Sequence, residues 1–509
     1  MLRHPLWLMV FLASSLPAQV ISSSIVGDVL DSSGAAIPGV VVTVTSASTG
    51  AARDISTDAN GAYVFPQLNP GIYQLTANHP GFKHYEVTNI ILPVSQTVRV
   101  DVRLQVGEVN EQVRVTAQAV QLEGEKSSLG QVITEQNVVE LPLNGRNFMQ
   151  LANISPGVVP AYNGRSATIT NQSGRNDMAV HISGGRGDTN SYLVDGVETR
   201  SSWFNSPSVL LSVDAIQEFK VDRNLFSAEY GQGSGLISLV SKSGGNTFHG
   251  TAYEFLRNDH FDAANLFDNY FRNRKAPFRQ NQFGATAGGA IIPNRLFFFG
   301  NWESLRRRRS NTLSALVPTP EQLSGDLTGL TSSKRDPATG AAAILDPLSG
   351  APFPGNRIPS SRISSVTKNF IAYTPQPNAN VGGRNFVTTR STNRDDDQYG
   401  IRIDAQLNRA DSLFGRYTNY ESSLFRPGVG PLSGNEFPYS GRNAVIQHTH
   451  IFGPRLLNIF KFGYNRANVF NSWEITETSL ANEIGLKINQ VQRHADEFLL
   501  SAMEGQSAD

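Results

Sequence analysis

The stretch that decides the fold is residues 399–408, with the sequence YGIRIDAQLN. Apolar side chains such as Ile401 and Ile403 alternate there with polar ones such as Arg402 and Asp404. An unbroken period of two predicts a β-strand, because successive side chains of a strand point to opposite faces. Its length and its one charged face fit a tilted transmembrane barrel strand, whose apolar face meets lipid and whose polar face meets a wet lumen. For this strand taken alone, a half-buried strand of a soluble sandwich is the alternative.

Further segments of the C-terminal half show the same alternation, with aromatic residues near their ends. We therefore predict that residues 248–509 form part of an antiparallel transmembrane β-barrel, with a large extracellular loop over the Pro-, Gly- and Ser-rich stretch 310–397. The pattern predicts roughly seven to ten strands, whereas plugged outer-membrane transporters have about 22. We accordingly expect the chain to be a fragment of a longer protein. The further segments are 283–291, 295–303, 413–420, 443–452 and 456–465.

The first twenty residues have the features of a secretory signal peptide. Arg3 and His4 precede the apolar run 6–13, and small residues follow it. The run is too short to span a bilayer as a helix, which takes about 20 residues. We predict that residues 1–20 are a signal peptide, with a buried N-terminal helix as the alternative.

Residues 22–106 are predicted to form a small β-sandwich. Short β-rich runs recur about every ten residues between turn sequences, as is typical of sandwiches. The turn residues, among them Gly27, Asn60-Gly61, Asn69-Pro70-Gly71 and Pro80-Gly81-Phe82, resemble those of the carboxypeptidase regulatory-like domain, a transthyretin-like β-sandwich. This resemblance implies an accessory module without catalytic residues.

Residues 107–120 form the predicted linker after the sandwich, and they contain a short extended segment. An unpaired strand of this kind can add to the sheet edge of another protein through backbone hydrogen bonds. The segment resembles the TonB box of TonB-dependent outer-membrane transporters, which implies a TonB-type energy-coupling protein as partner. A last strand of the sandwich and a plain linker are the alternatives. The candidate partner-binding residues are Glu111, Gln112, Val113, Arg114, Val115, Thr116 and Ala117.

Residues 121–247 are rich in Gly, Asn and Ser and carry an ordered series of motifs. These are LPLNGRNF at 141–148, ISGGRGD at 182–188, YLVDGV at 192–197 and GLISLVSKSGG at 235–245. Their order resembles the plug of TonB-dependent receptors of the Oar-like type, which also carry the N-terminal sandwich. The resemblance implies a small α+β domain inside the barrel.

Composition narrows the function classes. Lys+Arg and Asp+Glu both number 43, so the chain lacks the basic face expected of a nucleic-acid binder. It contains no cysteine, and we find no nucleophile or phosphate-binding motif. We therefore expect no enzyme activity, no catalytic residues, no cofactor and no metal site.

Three clusters of charged or histidine side chains have structural interpretations. We predict that Arg306–Arg309 is a solvated loop at a strand end. The run Asp395–Asp397 lacks the ligand spacing of a calcium loop. His448 and His450 share one strand face and are predicted to be structural or to face the lumen.

The predicted fold is mainly β: a transthyretin-like β-sandwich, a small α+β plug domain and a partial antiparallel transmembrane β-barrel. The resemblance implies a TonB-dependent receptor in the outer membrane of a Gram-negative-type bacterium, with the barrel in contact with outer-membrane lipid and the sandwich in the periplasm. Such a receptor takes up an extracellular ligand, which the sequence does not identify. The alternative is a secreted β-rich surface or adhesion protein without energy-coupled transport.

Overall fold

A computed structural model of the chain describes residues 23–107, 112–116, 129–160, 180–201, 206–223, 226, 233–264, 266, 269, 275–329, 336, 340, 342–431, 433–453, 456–470, 472–473 and 480–485. The predicted signal peptide, residues 1–20, lies outside this range. Within it, no helix has the length and the apolar character that crossing a membrane requires.

The N-terminal unit is a sandwich of two sheets. Its strands are β1 (Ser23–Leu30), β2 (Val41–Ser46), β3 (Ala52–Ser56), β4 (Ala62–Leu68), β5 (Gly71–Asn78), β6 (His84–Leu92), β7 (Thr97–Arg99), β8 (Val102–Arg103) and β9 (Gln112–Thr116). One sheet has the order β4-β1-β7, with β8 also paired to β1, and the other has the order β3-β2-β5-β6-β9. The predicted β-sandwich is confirmed.

Alternation along the strands builds the core of this sandwich. Val42 and Val44 on β2 and Leu75 and Ala77 on β5 are completely or almost completely buried between the sheets. Their neighbour Thr43 points the other way and is half-exposed. Burial of apolar side chains between the two sheets is therefore what stabilises the unit.

The central domain, which comprises the described residues of 129–246, is a mixed α+β unit. Its strands are β10 (Gly130–Ile133), β11 (Val158–Pro160), β12 (Val180–Ile182), β13 (Ser191–Val194), β14 (Val197–Glu198), β15 (Arg200–Ser201), β16 (Ser206–Pro207), β17 (Ile216–Arg223) and β18 (Gly235–Ser241). Its helices are α1 (Glu135–Glu140) and α2 (Met149–Ala152), with 3-10 turns at Asn144–Arg146, Gly187–Thr189 and Val213–Ala215. The main sheet has the order β10-β17-β18-β13-β14, and β11-β12 and β15-β16 form small ribbons.

The C-terminal unit is an eight-stranded antiparallel sheet, here called the barrel sheet. Its strands are β19 (His249–Asn258), β20 (Phe278–Ile292), β21 (Leu296–Ala315), β22 (Phe386–Gln406), β23 (Asp411–Arg426), β24 (Asn435–Gly453), β25 (Leu456–Val469) and β26 (Ser472–Trp473). Each strand from β19 to β25 pairs with the next, and β26 also pairs with β24. Because β19 and β25 end the order on opposite sides, the described strands form an open sheet, as predicted for a partial barrel.

The loop between β21 and β22 contains short helices. These are α3 (Pro320–Leu323) and α4 (Ser365–Ile371), with 3-10 turns at Pro354–Asn356 and Ser360–Arg362. A final short helix, α5 (Leu480–Glu483), follows the barrel sheet, and its residue Glu483 accepts a hydrogen bond from Tyr373 of this loop.

The alternation that was predicted at 399–408 is present in β22. Ile401 and Ile403 are 51% and 41% exposed, whereas Arg402 between them is 4% exposed. On β25, Phe460 and Phe462 also point outward and are more than half exposed. The outer face of the sheet is therefore apolar. Its inner polar face contacts the central domain instead of the wet lumen that the sequence suggested.

The prediction that Arg306–Arg309 is a solvated loop is wrong. Strand β21 continues through these residues, and Asp395 of β22 lies opposite Arg306, with Asp396 and Asp397 next along that strand. The connecting loop therefore shrinks from 310–397 to 316–385. Arg306 pairs with Asp397 at 2.8 Å and Arg308 with Asp395 at 2.6 Å. These ion pairs run diagonally between the two strands and contribute to their pairing through the charged sequence.

His448 and His450 lie on one face of β24, as predicted, and share an acceptor. His448 Nε2 and His450 Nδ1 lie 3.0 Å and 2.6 Å from the same carboxylate oxygen of Asp411. The pair therefore ties β24 to the start of β23.

Candidate functional site: the contact between the central domain and the barrel sheet

The first contact is made by a tight turn of the central domain. Strands β13 and β14 are joined by Asp195 and Gly196, whose φ angles are +49° and +80°. A two-residue hairpin turn with both φ values positive favours an Asp-Gly sequence. The YLVDGV motif thus positions one carboxylate at the tip of a hairpin.

Two arginines of the barrel sheet hold that carboxylate. Arg416 Nε donates to Asp195 Oδ2 at 2.6 Å, and Arg402 Nη1 approaches Oδ1 at 3.4 Å. Within the central domain, the backbone N–H and the hydroxyl of Ser241 donate to the same carboxylate at 3.0 Å and 2.8 Å. All four residues are more than nine-tenths buried. We call this group the Asp195 cluster.

The electrostatics of the Asp195 cluster favour the ionised form of the carboxyl group. Burial alone raises the pKa of Asp195, but the guanidinium groups of Arg416 and Arg402 outweigh it and hold the pKa below its ordinary value. The carboxylate is therefore charged at neutral pH. Removing one partner from such a buried set leaves an uncompensated charge, which is strongly destabilising.

A second cluster surrounds Glu303 on the inner face of β21. From the central domain, Arg146 Nε donates to Glu303 at 3.2 Å and also pairs with Asp214. The Arg146 guanidinium lies over the ring of Tyr253 at 4.5 Å from its centroid. The side chains that also donate to Glu303 are Tyr253 at 2.6 Å, Gln282 at 3.1 Å, Ser212 at 3.2 Å and Gln398 at 3.2 Å.

The turn that carries Arg146 follows from the LPLNGRNF motif. Gly145 and Arg146 both have positive φ, at +67° and +52°, so the chain reverses sharply there. Glycine adopts this conformation without a Cβ penalty. The turn projects the arginine onto the barrel sheet, as the Asp-Gly turn does with Asp195.

These two clusters are chemically suited to holding two bodies together. Their charged groups are paired and buried. Across the described residues, no group of three or more His, Cys, Asp or Glu side chains is arranged to hold a metal ion. What the arrangement can do is fix the central domain to the sheet through a few replaceable polar contacts.

The predicted partner-binding segment is only partly described, since Glu111 and Ala117 lie outside the described residues. Gln112–Thr116 forms β9, which pairs in parallel with β6, from His84↔Gln112 to Thr88↔Thr116. The expectation of an unpaired strand is therefore wrong, and the alternative of a last sandwich strand describes the observed pairing. Among the described residues, no hydrogen bond or ion pair joins Gln112–Thr116 to the Asp195 cluster or to the Glu303 cluster.

Sequence reasoning did not find the barrel side of either cluster. Asp195 and Arg146 lie in motifs that were noted, and Arg402 was noted only as a polar position of its strand. The pairs join residues 207 and 221 positions apart, a separation that periodicity cannot bridge. A usable signal was nevertheless present: charged residues at inward positions of barrel strands require partners.

The sandwich also contacts the central domain and the barrel sheet. The backbone N–H of Asn246 donates to Ser48 O at 2.9 Å, and its side chain donates to Thr49 O and Asn294 Oδ1, both at 2.8 Å. Between the turns of the barrel sheet and strands β3 and β4 lies a cavity of about 320 Å³, lined by Phe65, Pro66 and Leu456 among others. The sandwich is thus seated at the end of the sheet where β18 leads into β19.

Comparison with known families gives two matches along the chain. Residues 24–105 match the carboxypeptidase regulatory-like domain. Residues 240–507 match the outer membrane beta barrel domain, which is more than half of the chain.

The chain resembles a TonB-dependent transporter, Oar of Myxococcus xanthus, at 28% identity over 322 residues, which cover 58% of this chain and 28% of that protein. The chain thus spans little more than a quarter of this curated relative. The outer membrane transporter YddB of Escherichia coli aligns with a TM-score of 0.40 at 12% identity, over 64% of this chain and 37% of that one.

A mutant of the ferric enterobactin receptor of Pseudomonas aeruginosa aligns with a TM-score of 0.34 at 11% identity, over 68% of this chain and 46% of that one. The family match rests on the barrel sheet and the sandwich match on the N-terminal unit, in the order that the sequence predicted. The chain belongs to the outer-membrane β-barrel family of Gram-negative bacteria and is a relative of the TonB-dependent transporter Oar.

Proposed function

We propose that the chain is part of an energy-coupled outer-membrane receptor that takes up an extracellular ligand. In this proposal the outward apolar face of the barrel sheet contacts outer-membrane lipid, and the central domain is the plug of the pore. The sandwich lies in the periplasm, below the plug. The ligand is not identified by any feature of the described residues.

The observation that carries the proposal is that buried ion pairs attach the central domain to the inner face of the barrel sheet. Asp195 with Arg402 and Arg416, and Glu303 with Arg146, join the two units through paired charges. A domain held in this way closes the space beside it. Passage of a ligand therefore requires work to separate or reshape these contacts, and an outer membrane offers no local energy source for it.

A partner that reaches the periplasmic side can supply that work. The segment 111–117 precedes the central domain in the chain, and an extended segment is suited to strand addition by a partner. We propose that a TonB-type protein grips this segment and pulls, and that the pull loosens the plug.

The test is deletion of residues equivalent to 111–117 in a full-length relative. We expect uptake of its ligand to be lost while binding of the ligand to whole cells is unchanged, because the outer surface is untouched. A matched control replaces residues equivalent to 32–35, in the exposed turn between β1 and β2 of the sandwich, with a Gly/Ser linker of equal length, and should leave uptake unchanged. Unchanged uptake after the deletion would refute the coupling mechanism.

The secreted surface or adhesion protein remains the competing proposal. The outer-membrane family match favours the receptor, since a secreted protein has no need of a lipid-facing strand surface. Cell fractionation distinguishes the two: a receptor partitions with the outer membrane and changes its electrophoretic mobility on heating, whereas a secreted protein is recovered in the medium.

A further inference from the structure

The segment proposed to bind the energy-coupling partner already has a binding site within this chain. Strand β9 extends the sheet β3-β2-β5-β6 by one strand, and five residue pairs join it to β6. Tyr85 lies beside Val113, and Val87 lies beside Val115. One of the two hydrogen-bonding edges of the segment is therefore used by the sandwich.

A charged pair fixes the register of this strand. The guanidinium of Arg114 donates through Nε and Nη2 to the two carboxylate oxygens of Glu86, at 3.0 Å and 3.1 Å. Glu86 is 3% exposed and also accepts a hydrogen bond from Gln74 at 2.6 Å. A buried carboxylate is costly without a partner, and a two-point guanidinium contact is among the most specific ways of satisfying it. Sliding β9 by one residue would remove this contact, so the sandwich is built to hold the segment in one position.

The sandwich is itself attached to the rest of the molecule. Asn246 of the central domain donates hydrogen bonds to Ser48 and Thr49 of the sandwich and to Asn294 in the turn between β20 and β21. In addition, Arg409 pairs with Asp54 at 3.2 Å. A pull on β9 while it is part of the sandwich is therefore resisted by these contacts at the barrel rim. For the pull to reach the central domain, β9 must first leave β6.

We propose that the sandwich stores the coupling segment as its edge strand, and that β6 with Glu86 competes with the TonB-type partner for it. The proposal rests on the coupling function proposed above and adds its regulation: the partner captures the segment only in the fraction of molecules in which β9 has separated from β6. The apparent affinity of the partner is lowered by that fraction.

The test uses a disulfide between the paired positions Val87 and Val115. The chain has no cysteine, so V87C/V115C introduces the only thiols. The probe is the purified periplasmic C-terminal domain of a TonB protein. We expect the oxidised variant to bind this domain at least tenfold more weakly than the same variant after reduction, because the locked strand cannot leave β6. The matched control, T43C/T76C, locks β2 to β5 in the same sheet and leaves β9 free to separate. Its binding should not change on reduction.

A second variant tests the opposite direction. Glu86→Gln keeps the side-chain shape and the contact with Gln74 but removes the charge that Arg114 needs. We expect the TonB domain to bind roughly three- to tenfold more tightly, the change that loss of a partly exposed charge-assisted pair would produce. Equal binding of the oxidised and reduced V87C/V115C variant would overturn the proposal, since it would show that the partner adds to β9 without displacing it.

Hydrogen exchange of the amides of residues 113–116, measured without the partner, separates storage from coupling. Slow exchange in the natural chain and faster exchange in Glu86→Gln support the stored strand. Exchange at the rate of a free peptide in the natural chain overturns it, whatever the partner does. Protected amides together with no binding of the TonB domain in any variant, reduced or oxidised, would instead refute the coupling function and with it the competition.

Discussion

The sandwich and the barrel sheet have the same alternation of apolar and polar residues along their strands. In the sandwich the apolar side chains point inward, and in the barrel sheet they point outward. In the sandwich, Leu75 on β5 is completely buried and its neighbour Thr76 is half-exposed. In the barrel sheet, Ile401 on β22 is 51% exposed and its neighbour Arg402 is buried. A period of two thus indicates a two-faced strand in both units, but it does not say which face is inside. The partner of the inner face decides that: a second apolar sheet in one case, a polar domain in the other.

The difference also determines what holds each unit together. The sandwich core is a continuous apolar cluster, whereas the barrel sheet meets the central domain through the Asp195 and Glu303 clusters as well as through Tyr420 and Tyr439. Apolar packing has no preferred direction and tolerates small shifts. Paired buried charges are specific, and they are costly to leave half-made.

The largest expected effect is at the Asp195 cluster. Asp195→Ala leaves Arg416 buried without its counter-charge, whereas Arg402 keeps Asp404 at 2.8 Å. We expect the attachment of the central domain to weaken by about 3–5 kcal/mol. Hydrogen exchange across β13 and β18, measured in the natural chain and in the variant, reports this loss.

The control for this variant is Asp188→Ala on the same domain. Asp188 pairs with Arg186 on an exposed turn, where ion pairs contribute about 0–1 kcal/mol. Equal exchange in the Asp195→Ala and Asp188→Ala variants would contradict the assignment of the buried cluster as an anchor.

The next effect tests the polarity of the two outer faces directly. An arginine on the lipid-facing surface of a transmembrane strand costs about 2–4 kcal/mol near the bilayer midplane. We expect Ile401→Arg to destabilise the chain in phospholipid vesicles by this amount, as measured by the urea concentration at half-unfolding. On the sandwich, Ile72 is 48% exposed, similar to Ile401, so Ile72→Arg is the matched substitution on a face that meets water. A shift of equal size for both would show that the outer face of the barrel sheet does not meet lipid.

Much of this organisation could be predicted from sequence because it is local. Turn residues such as Asn69-Pro70-Gly71 mark the sandwich, and the alternation in β22 marks the barrel sheet. The extension of β21 through Arg306–Arg309 was missed because a run of four arginines resembles solvated loop when the opposing strand is unknown. The register that brings Asp395 and Asp397 alongside is a property of two strands together.

The candidate site was predictable on one side only. The motifs around Arg146 and Asp195 identified the turns of the central domain, but Glu303 and Arg416 lie in strands whose partners are distant in sequence. The pairing of β9 with β6 could not be decided from sequence either. Periodicity indicates that residues 112–116 are extended, but it does not say with which sheet edge they pair. Whether these residues bind a TonB-type protein stays a prediction.

A further effect is the pH dependence of the central domain. Burial raises the pKa of Glu218 on β17 to about 8, and the backbone N–H of Val94 in the sandwich opposes this shift only in part. The folded protein therefore holds this proton more tightly than the unfolded chain does, so the contribution to stability is complete below about pH 4.5 and is lost as pH rises towards about 8. The slope can reach about 1.4 kcal/mol per pH unit. We expect Glu218→Gln to flatten the decline in stability of the central domain between pH 5 and pH 8, as followed by hydrogen exchange of β17. A decline of the same slope in that variant would assign the pH dependence to other groups.

The smallest expected effect concerns the seat of the sandwich beneath the barrel sheet. Arg409 lies in the turn before β23 and is 89% exposed, and its partner Asp54 is 40% exposed, so water and salt screen the pair. Arg409→Ala should weaken the seating by less than about 1 kcal/mol, and the effect should vanish at high salt. Asn246→Ala removes the neutral hydrogen bonds to Thr49 and Asn294, and its effect should persist in high salt. Cross-linking between the sandwich and the barrel turns, measured at low and high salt, checks both. If Arg409→Ala released the sandwich as completely as Asn246→Ala did, the exposed charge pair would be the main attachment of the sandwich. The rule that exposed ion pairs contribute little and buried ones contribute much would then fail at this interface.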